Sequence, residues 1–266
     1  MIHPLTSIHP EAKIAEDVVI EPFVTIKGDV EIGSGCWIGS NVVIDDGARI
    51  GKNTRIFPGA VISTMPQDLK FGGEYSTVQI GDNCTIREYV TVNRGTSYSG
   101  TTKVGNHVLI MAYAHVAHDC VIGDHVILAN SVNLAGHVVI DEHAIVGGTS
   151  AIHQFVRIGR HSILQGGSLV GKDVPPFTKG ARYPLSYVGV NTVGLKRRGY
   201  DAVQIHQIHE IYRILFASGR NTTQAMEAIQ AEIPESEFKR EIMEFVKSSP
   251  RGIMKGLGNH KGREDD

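Results

Sequence analysis

From Ile20 to Ile56 the chain reads IEPFVTIKGDVEIGSGCWIGSNVVIDDGARIGKNTRI, with isoleucine at every sixth residue. A helix repeats its buried face every 3.6 residues and a strand every 2, so neither alone accounts for a period of six. Stepping by six from Ile2 to Val170 gives 29 positions, and Ile, Leu or Val fills 26 of them. The exceptions are Asp68, Glu74 and Tyr98. Four residues beyond each aliphatic position lies a second biased one, opened by Ala12, Val18, Val24, Val30, Cys36, Val42 and Ala48. The residues between are rich in Gly, Asp and Asn, as in IGSG, IDDG, IGKN, IGDN and VGNH.

A fixed short period marks a solenoid. One large and one small apolar residue per six give each short strand two inward side chains. The polar residues between are turn formers, several of them tolerant of positive φ. Three strands and three turns close a triangular coil of about 18 residues, and stacked coils pair parallel strands about 4.8 Å apart. Counting the interrupted stretches near 63–79 and 93–103, the repeat predicts about nine to ten coils over residues 1–176. The chain is thus expected to be mainly β, a parallel β-helix with two protruding loops. Its 30 glycines and 6% aromatic content suit tight turns and a thin core. Cys36, Cys84 and Cys120 all fall at the small inward position, which predicts buried filler rather than disulfides. A net charge of −2 gives no general attraction to nucleic acid. No apolar run approaches the roughly 18 residues needed to cross a bilayer, so a cytoplasmic protein without stable membrane insertion is expected.

The repeat fades at LVGKDVPPF, where Pro175 and Pro176 oppose strand pairing. Residues 177–195 read as an irregular linker, and residues 196–266 as a small helical domain. Three helices are predicted, in RRGYDAVQIHQIHEIYRILFASG, NTTQAMEAIQAEI and PESEFKREIMEFVKSS, followed by a frayed tail from about residue 256. A solenoid needs its ends covered, and these helices are placed to cover the last coil.

A filled prism has no room for a substrate inside, so chemistry must sit on its faces, on its loops or between subunits. Residues three hexads apart stack in a column. His118 then lies under Gly136, and Gly136 under Gln154; Asp119 lies under His137, and His137 under Phe155. His118, Asp119, His137 and Gln154 converge on one corner within about 10 Å, two strand spacings. An imidazole, a carboxylate to orient it, and a glycine that leaves a gap and bares its N–H are the parts of a general-base site with an oxyanion donor. His107, His125, His143 and His161 recur at the same three-hexad spacing and look like a metal ladder. Their column begins Asp17, Gly35, Asn53, so it reads instead as a turn column that tolerates left-handed backbone. The first loop offers Asp68 and Lys70 as a ligand wall, and the second offers Arg94. GLKRRG supplies Lys196, Arg197 and Arg198, either a solvated turn or a phosphate site.

The hexads resemble the hexapeptide-repeat family, which implies a left-handed coil and a homotrimer of parallel prisms. Three blocks narrow the resemblance: PQDLKFGGE; AHVAHDC with LAGHV and IHQF; and GVNTVGLKRRG. Together they resemble the UDP-N-acetylglucosamine acyltransferase family of lipid A biosynthesis over nearly the whole chain. That resemblance implies transfer of an (R)-3-hydroxyacyl group from acyl carrier protein to the sugar 3-position of the UDP-amino sugar. It implies that His118 is the base, that Asp119 orients it and that the Gly136 N–H receives the oxyanion. Asp68, Lys70, His115, His137, His153 and Gln154 would contact sugar, diphosphate or acyl donor. Asn191, Arg197 and Arg198 would reach nucleotide or pantetheine from a neighbouring subunit, and Gln165 and Gly166 would gauge the acyl chain. No metal or cofactor is implied beyond the phosphopantetheine of the donor. An acetyl-CoA-dependent transferase, or an enzyme N-acylating a 3-amino UDP-sugar, is the alternative within the same superfamily.

Overall fold

The computed structural model describes residues 1–257, and the period of six takes the form of a three-sided prism. One face holds nine strands, from Ser7–Ile8 to Leu169–Val170. A second holds eight, from Lys13–Ile14 to Arg157–Ile158. The third holds eight repeat strands, from Val19–Ile20 to Ile163–Leu164, and then continues into three more. Each repeat strand pairs in parallel with the strand one coil on, as Thr25 pairs Val43.

The spacing changes only at the two loops. Arg49 pairs with Gln79, and Gln79 with Lys103, each across a longer stretch of chain than one coil. The excess is a whole number of hexads each time, so every side chain keeps its face. The loops therefore absorb the three hexads headed by Asp68, Glu74 and Tyr98. The strands make eight coils and one further strand, fewer than a count of nine to ten that includes those hexads.

The inward pattern is as expected. Ile38, Ile44, Ile56 and Ile62 have no exposure, and Cys36, Val42, Ala48 and Ala60 fill the narrow positions beside them. Each large aliphatic buried this way contributes roughly 1.5–3 kcal/mol. The three cysteines are buried and unpaired, and burial pushes Cys84 to about 11 and Cys120 to about 12. The last residue of each turn is commonly left-handed: φ is 54° at Asn53, 56° at His107, 59° at Asp119 and 62° at His137.

Outward, the faces diverge. The second presents Lys13, Glu31, Arg49, Gln79, Lys103 and Arg157. The third presents Leu109, Ile127, Ile145 and Ile163. The first presents Thr91, His115, Asn133 and Ala151.

The stretch read as an irregular linker is ordered. Thr178–Ala181 extends the third face by pairing with Ile163–Leu164, then forms an antiparallel hairpin with Ser186–Val190. Pro175 and Pro176 thus interrupt that face without ending it. A short helix α1, Thr192–Arg197, follows, then α2 (Ala202–Ala217), α3 (Thr222–Glu232) and α4 (Glu237–Lys247). The three longer helices match those predicted. Asp201 and Asn221 close capping boxes on α2 and α3, and Ser236 caps α4. Ile208, Ile211, Tyr212, Ile229, Ile242 and Phe245 form their shared core. Arg160 grips Glu241 through Nε and Nη2, at 2.7 and 2.8 Å, fastening the last coil to α4. Lys255–Gly256 pairs with the hairpin strand, so chain order reaches residue 256; residues 258–266 of the expected frayed tail lie outside the described residues.

Candidate active site

The corner between the first and second faces carries the predicted constellation. His118 and Asp119 are 6% and 5% exposed, and His118 Nδ1 lies 2.8 Å from Asp119 Oδ2. An ionised carboxylate accepts only, so Nδ1 carries the proton and Nε2 is left as the basic nitrogen. Burial works to raise the Asp119 carboxyl. Hydrogen bonds from Ser99, Thr96 and His118 outweigh it and hold the group below the usual carboxylate range.

Gly136 sits one coil on. A Cβ there would lie 2.5 Å from His118 Cε1 and 2.7 Å from Nε2, so only glycine admits the imidazole in this pose. The backbone N–H of Gly136 donates to no acceptor among the described residues, while its carbonyl accepts from Phe155 N at 3.2 Å. His118 Nε2 thus borders the notch left at Gly136, whose own N–H is uncommitted among the described residues; a base beside an available donor is what acyl transfer requires.

The notch opens into a cleft of about 650 Å³ along the first face. Asp68 and Lys70 from the first loop, His115, His118, Gly136 and Gln154 all line it. Asp119 stands behind His118 rather than in the wall. His137 stacks on Phe155 with ring centroids 4.4 Å apart and meets His118 edge-on at 5.0 Å. Burial first, and then the His118 charge, lower His137 against the raising effect of Asp119. Its Nδ1 is buried without a hydrogen-bond partner among the described residues, 3.9 Å from Asp119 Oδ2. His115 bonds Thr91 Oγ1 at 2.7 Å and is lowered chiefly by burial. His118, Asp119 and His137 offer ligand atoms within 4.8 Å of one another, but the Asp119 carboxylate is already engaged by hydrogen-bond donors.

The other sequence candidates do not line the cleft. His153 is exposed and turns Nδ1 to the Gln154 carbonyl at 3.0 Å. Gln165 and Gly166 are exposed at the corner between the third and first faces. Asn191 is buried as the cap of α1, accepting from Gly194 N and donating to His161 O at 2.9 Å. Arg197 is exposed in the last turn of α1, and Arg198 follows it, donating to the carbonyls of Gly194 and His143. The basic cluster therefore ends α1 and precedes α2, which begins at Ala202.

The sequence reading passed over Gln67 and Leu69 in the cleft wall, and Thr96 and Ser99 behind Asp119. Asn133, also in the wall, pairs with His115 as the three-hexad spacing places it. The loop residues break the period and carried no positional signal.

Comparison with known proteins follows the same outline. Residues 173–254 match the model described as UDP N-acetylglucosamine O-acyltransferase, domain 2, and residues 29–64 and 101–136 match the bacterial transferase hexapeptide repeat. An acyl-[acyl-carrier-protein]–UDP-N-acetylglucosamine O-acyltransferase from Sulfurihydrogenibium sp. is 55% identical over 261 residues, 98% of this chain and 96% of that protein. The chain belongs to the UDP-N-acetylglucosamine O-acyltransferase family. A protein of the same name from Aquifex aeolicus is 57% identical over 255 residues, 96% of this chain and 98% of that one. The crystal structure of a UDP-N-acetylglucosamine acyltransferase from Bacteroides fragilis aligns with a TM-score of 0.94 at 49% identity, covering 96% of this chain and all of that one. The prism of this family member is a left-handed parallel β-helix followed by a helical region.

Proposed function

We propose that the chain carries out the reaction for which its relatives are named and that His118 is its general base. The chain transfers an (R)-3-hydroxyacyl group from acyl carrier protein to the 3-hydroxyl of UDP-N-acetylglucosamine, the first step of lipid A biosynthesis. His118 Nε2 takes the hydroxyl proton as the sugar oxygen attacks the thioester carbonyl. The Gly136 N–H receives the oxyanion. Collapse breaks the C–S bond, and the imidazolium returns its proton to the departing thiolate. Asp119 fixes the tautomer, and no metal or cofactor of the enzyme takes part. Asp68, Lys70, His115, His137, His153 and Gln154 are read as contacts to sugar, diphosphate or acyl donor.

The single observation that carries this reading is the notch at Gly136: a Cβ there would lie 2.7 Å from His118 Nε2, and the Gly136 N–H beside it donates to no acceptor among the described residues. The outward rows Leu109, Ile127, Ile145 and Ile163, and the stacked pair Tyr89 and Tyr113 (55% and 62% exposed), support a homotrimer in which they are covered. In that assembly a neighbour's Arg197, Arg198, Gln165 and Gly166 complete the cleft for nucleotide, pantetheine and acyl tail. No described helix is long and apolar enough to cross a membrane, in keeping with a cytoplasmic enzyme. The test is transfer from hydroxyacyl carrier proteins of graded length to UDP-N-acetylglucosamine. His118→Ala should lower turnover about 10²–10⁴-fold in a protein that still folds; near-normal turnover would remove His118 from the mechanism.

A further inference from the structure

The second loop, residues 94–100, contributes none of the residues that line the cleft. It nevertheless supplies four donors to one carboxylate. Thr96 gives its N–H at 3.1 Å to Asp119 Oδ1 and its hydroxyl at 2.7 Å to Oδ2. Ser99 gives its N–H at 3.3 Å and its hydroxyl to Oδ1. His118 Nδ1 completes the set on Oδ2. The loop is itself anchored: Arg94 N donates to Thr64 O at 3.1 Å, and Ser97 N to Glu74 Oε1 at 2.8 Å. Tyr98, at its tip, packs edge-on to His137 at 4.5 Å.

Two imidazoles flank this carboxylate. His118 Nδ1 is bonded to Oδ2, and His137 Nδ1 stands 3.9 Å away with no partner among the described residues. Unpartnered buried nitrogens are costly, so a carboxylate free to turn would be drawn toward His137. It cannot turn, because its acceptor sites are already filled. We propose that Thr96 and Ser99 are positioning residues for the acyl transfer, holding Asp119 on His118 and away from His137. The inference rests on His118 being the base. Asp119 bonded to His118 enforces the tautomer with the proton on Nδ1 and the lone pair on Nε2. Asp119 shared with His137 leaves part of the His118 population in the unproductive tautomer. The loop therefore acts on turnover and leaves substrate affinity alone.

The test combines Thr96→Val with Ser99→Ala in the full chain and reads kcat and KM for UDP-N-acetylglucosamine separately. The pair should lower kcat about ten-fold or more and change KM less than about three-fold, since tautomer enforcement serves the chemical step. Thr96→Ser with Ser99→Thr restores both hydroxyls and should recover kcat to within about three-fold. In a His137→Phe background, where the competing nitrogen is gone, the Val/Ala pair should cost under about three-fold, a non-additivity that a structural role does not give. Should His137→Phe turn over too slowly to follow, rescue by the conservative pair decides the question. If the Val/Ala protein does not fold, Ser99→Ala alone carries the same comparison, with the backbone donors intact. An unchanged kcat, a KM effect equal to the kcat effect, or full additivity with His137→Phe overturns the inference. If His118→Ala remains active, it is the base assignment that falls, whatever the loop variants do.

Discussion

Two corners of the prism carry histidines at the same turn position with nearly the same backbone, and only one corner is built as a site. His137 has φ 62°, while His125 and His143 have 58° and 60°. In the silent corner the rings of His107, His125, His143 and His161 stack face to face at 4.8, 4.6 and 4.9 Å, each filling the space above the last. The residues preceding them are Asn106, Asp124, Glu142 and Arg160, all with side chains. Asp124 spends its carboxylate on Asn106, accepting the backbone N–H at 2.7 Å. In the active corner the preceding residues are His118, Gly136 and Gln154. Removal of one side chain at the middle level opens the notch, and the carboxylate there bonds an imidazole. The repeat makes the two corners equivalent in backbone. What separates them is one missing Cβ and two inserted loops.

The largest test of that contrast is Gly136→Ala. The backbone at Gly136 is outside the left-handed region, so alanine is tolerated conformationally, but its Cβ would meet the His118 ring at 2.5 Å. The ring must swing away from its productive pose. We expect kcat/KM to fall about 10²–10³-fold, in the range that a misplacement of about 1 Å produces, while the melting temperature moves by a few degrees at most. Turnover within about three-fold of the parent would show that the notch is not what distinguishes this corner.

The corners also titrate differently. His161 is buried beneath Phe177 and Tyr200, and burial, followed by the charges of Arg160, His143 and Arg198, pushes it down to about 3. The folded value lies below the unfolded one, near 6.5, so the folded state favours the neutral ring. The stability that it contributes is fully present above about pH 6.5 and is lost as pH falls from there toward about 3. Asp119 is also held low, but its contribution is lost only below the ordinary carboxylate value of about 4. Melting curves at pH 7.5 and 5.5 therefore report on the lowered histidines rather than on Asp119; because His115 and His137 in the other corner are lowered as well, the share of His161 is read from a variant. His161→Asn should shrink the drop in melting temperature between those two values. An unchanged drop would mean that His161 is protonated freely in the folded protein.

Much of this was legible in the residue numbers, for a physical reason. Parallel strands stacked in register convert a separation of three hexads into vertical contact, so Gly136 over His118 and His137 over Asp119 could be placed by arithmetic. The same arithmetic failed wherever the period lapses. Thr96 and Ser99 reach Asp119 from a loop whose path no repeat dictates. The hairpin at 178–190 was missed because Pro175 and Pro176 looked like an end, whereas Thr178–Ala181 resumes the same sheet. Arg197 and Gln165, read from the resemblance as site residues, stand away from the cleft.

The smallest effect is the most direct probe of the silent column. His125 has φ 58°, and the same column holds Asn53 at 54° and Asn83 at 56°. Asparagine visits the left-handed region readily; a β-branched residue does not. His125→Asn should therefore cost no more than about 0.5–1 kcal/mol, the loss of two ring stacks offset by a compatible backbone. His125→Val should cost about 1–3 kcal/mol from backbone strain. Chemical denaturation measures both, and turnover should be unchanged in each. Were His125→Asn to abolish turnover with stability intact, the stacked imidazoles would have to be counted as part of a working site, and the missing Cβ at Gly136 would no longer explain which of the two corners is silent.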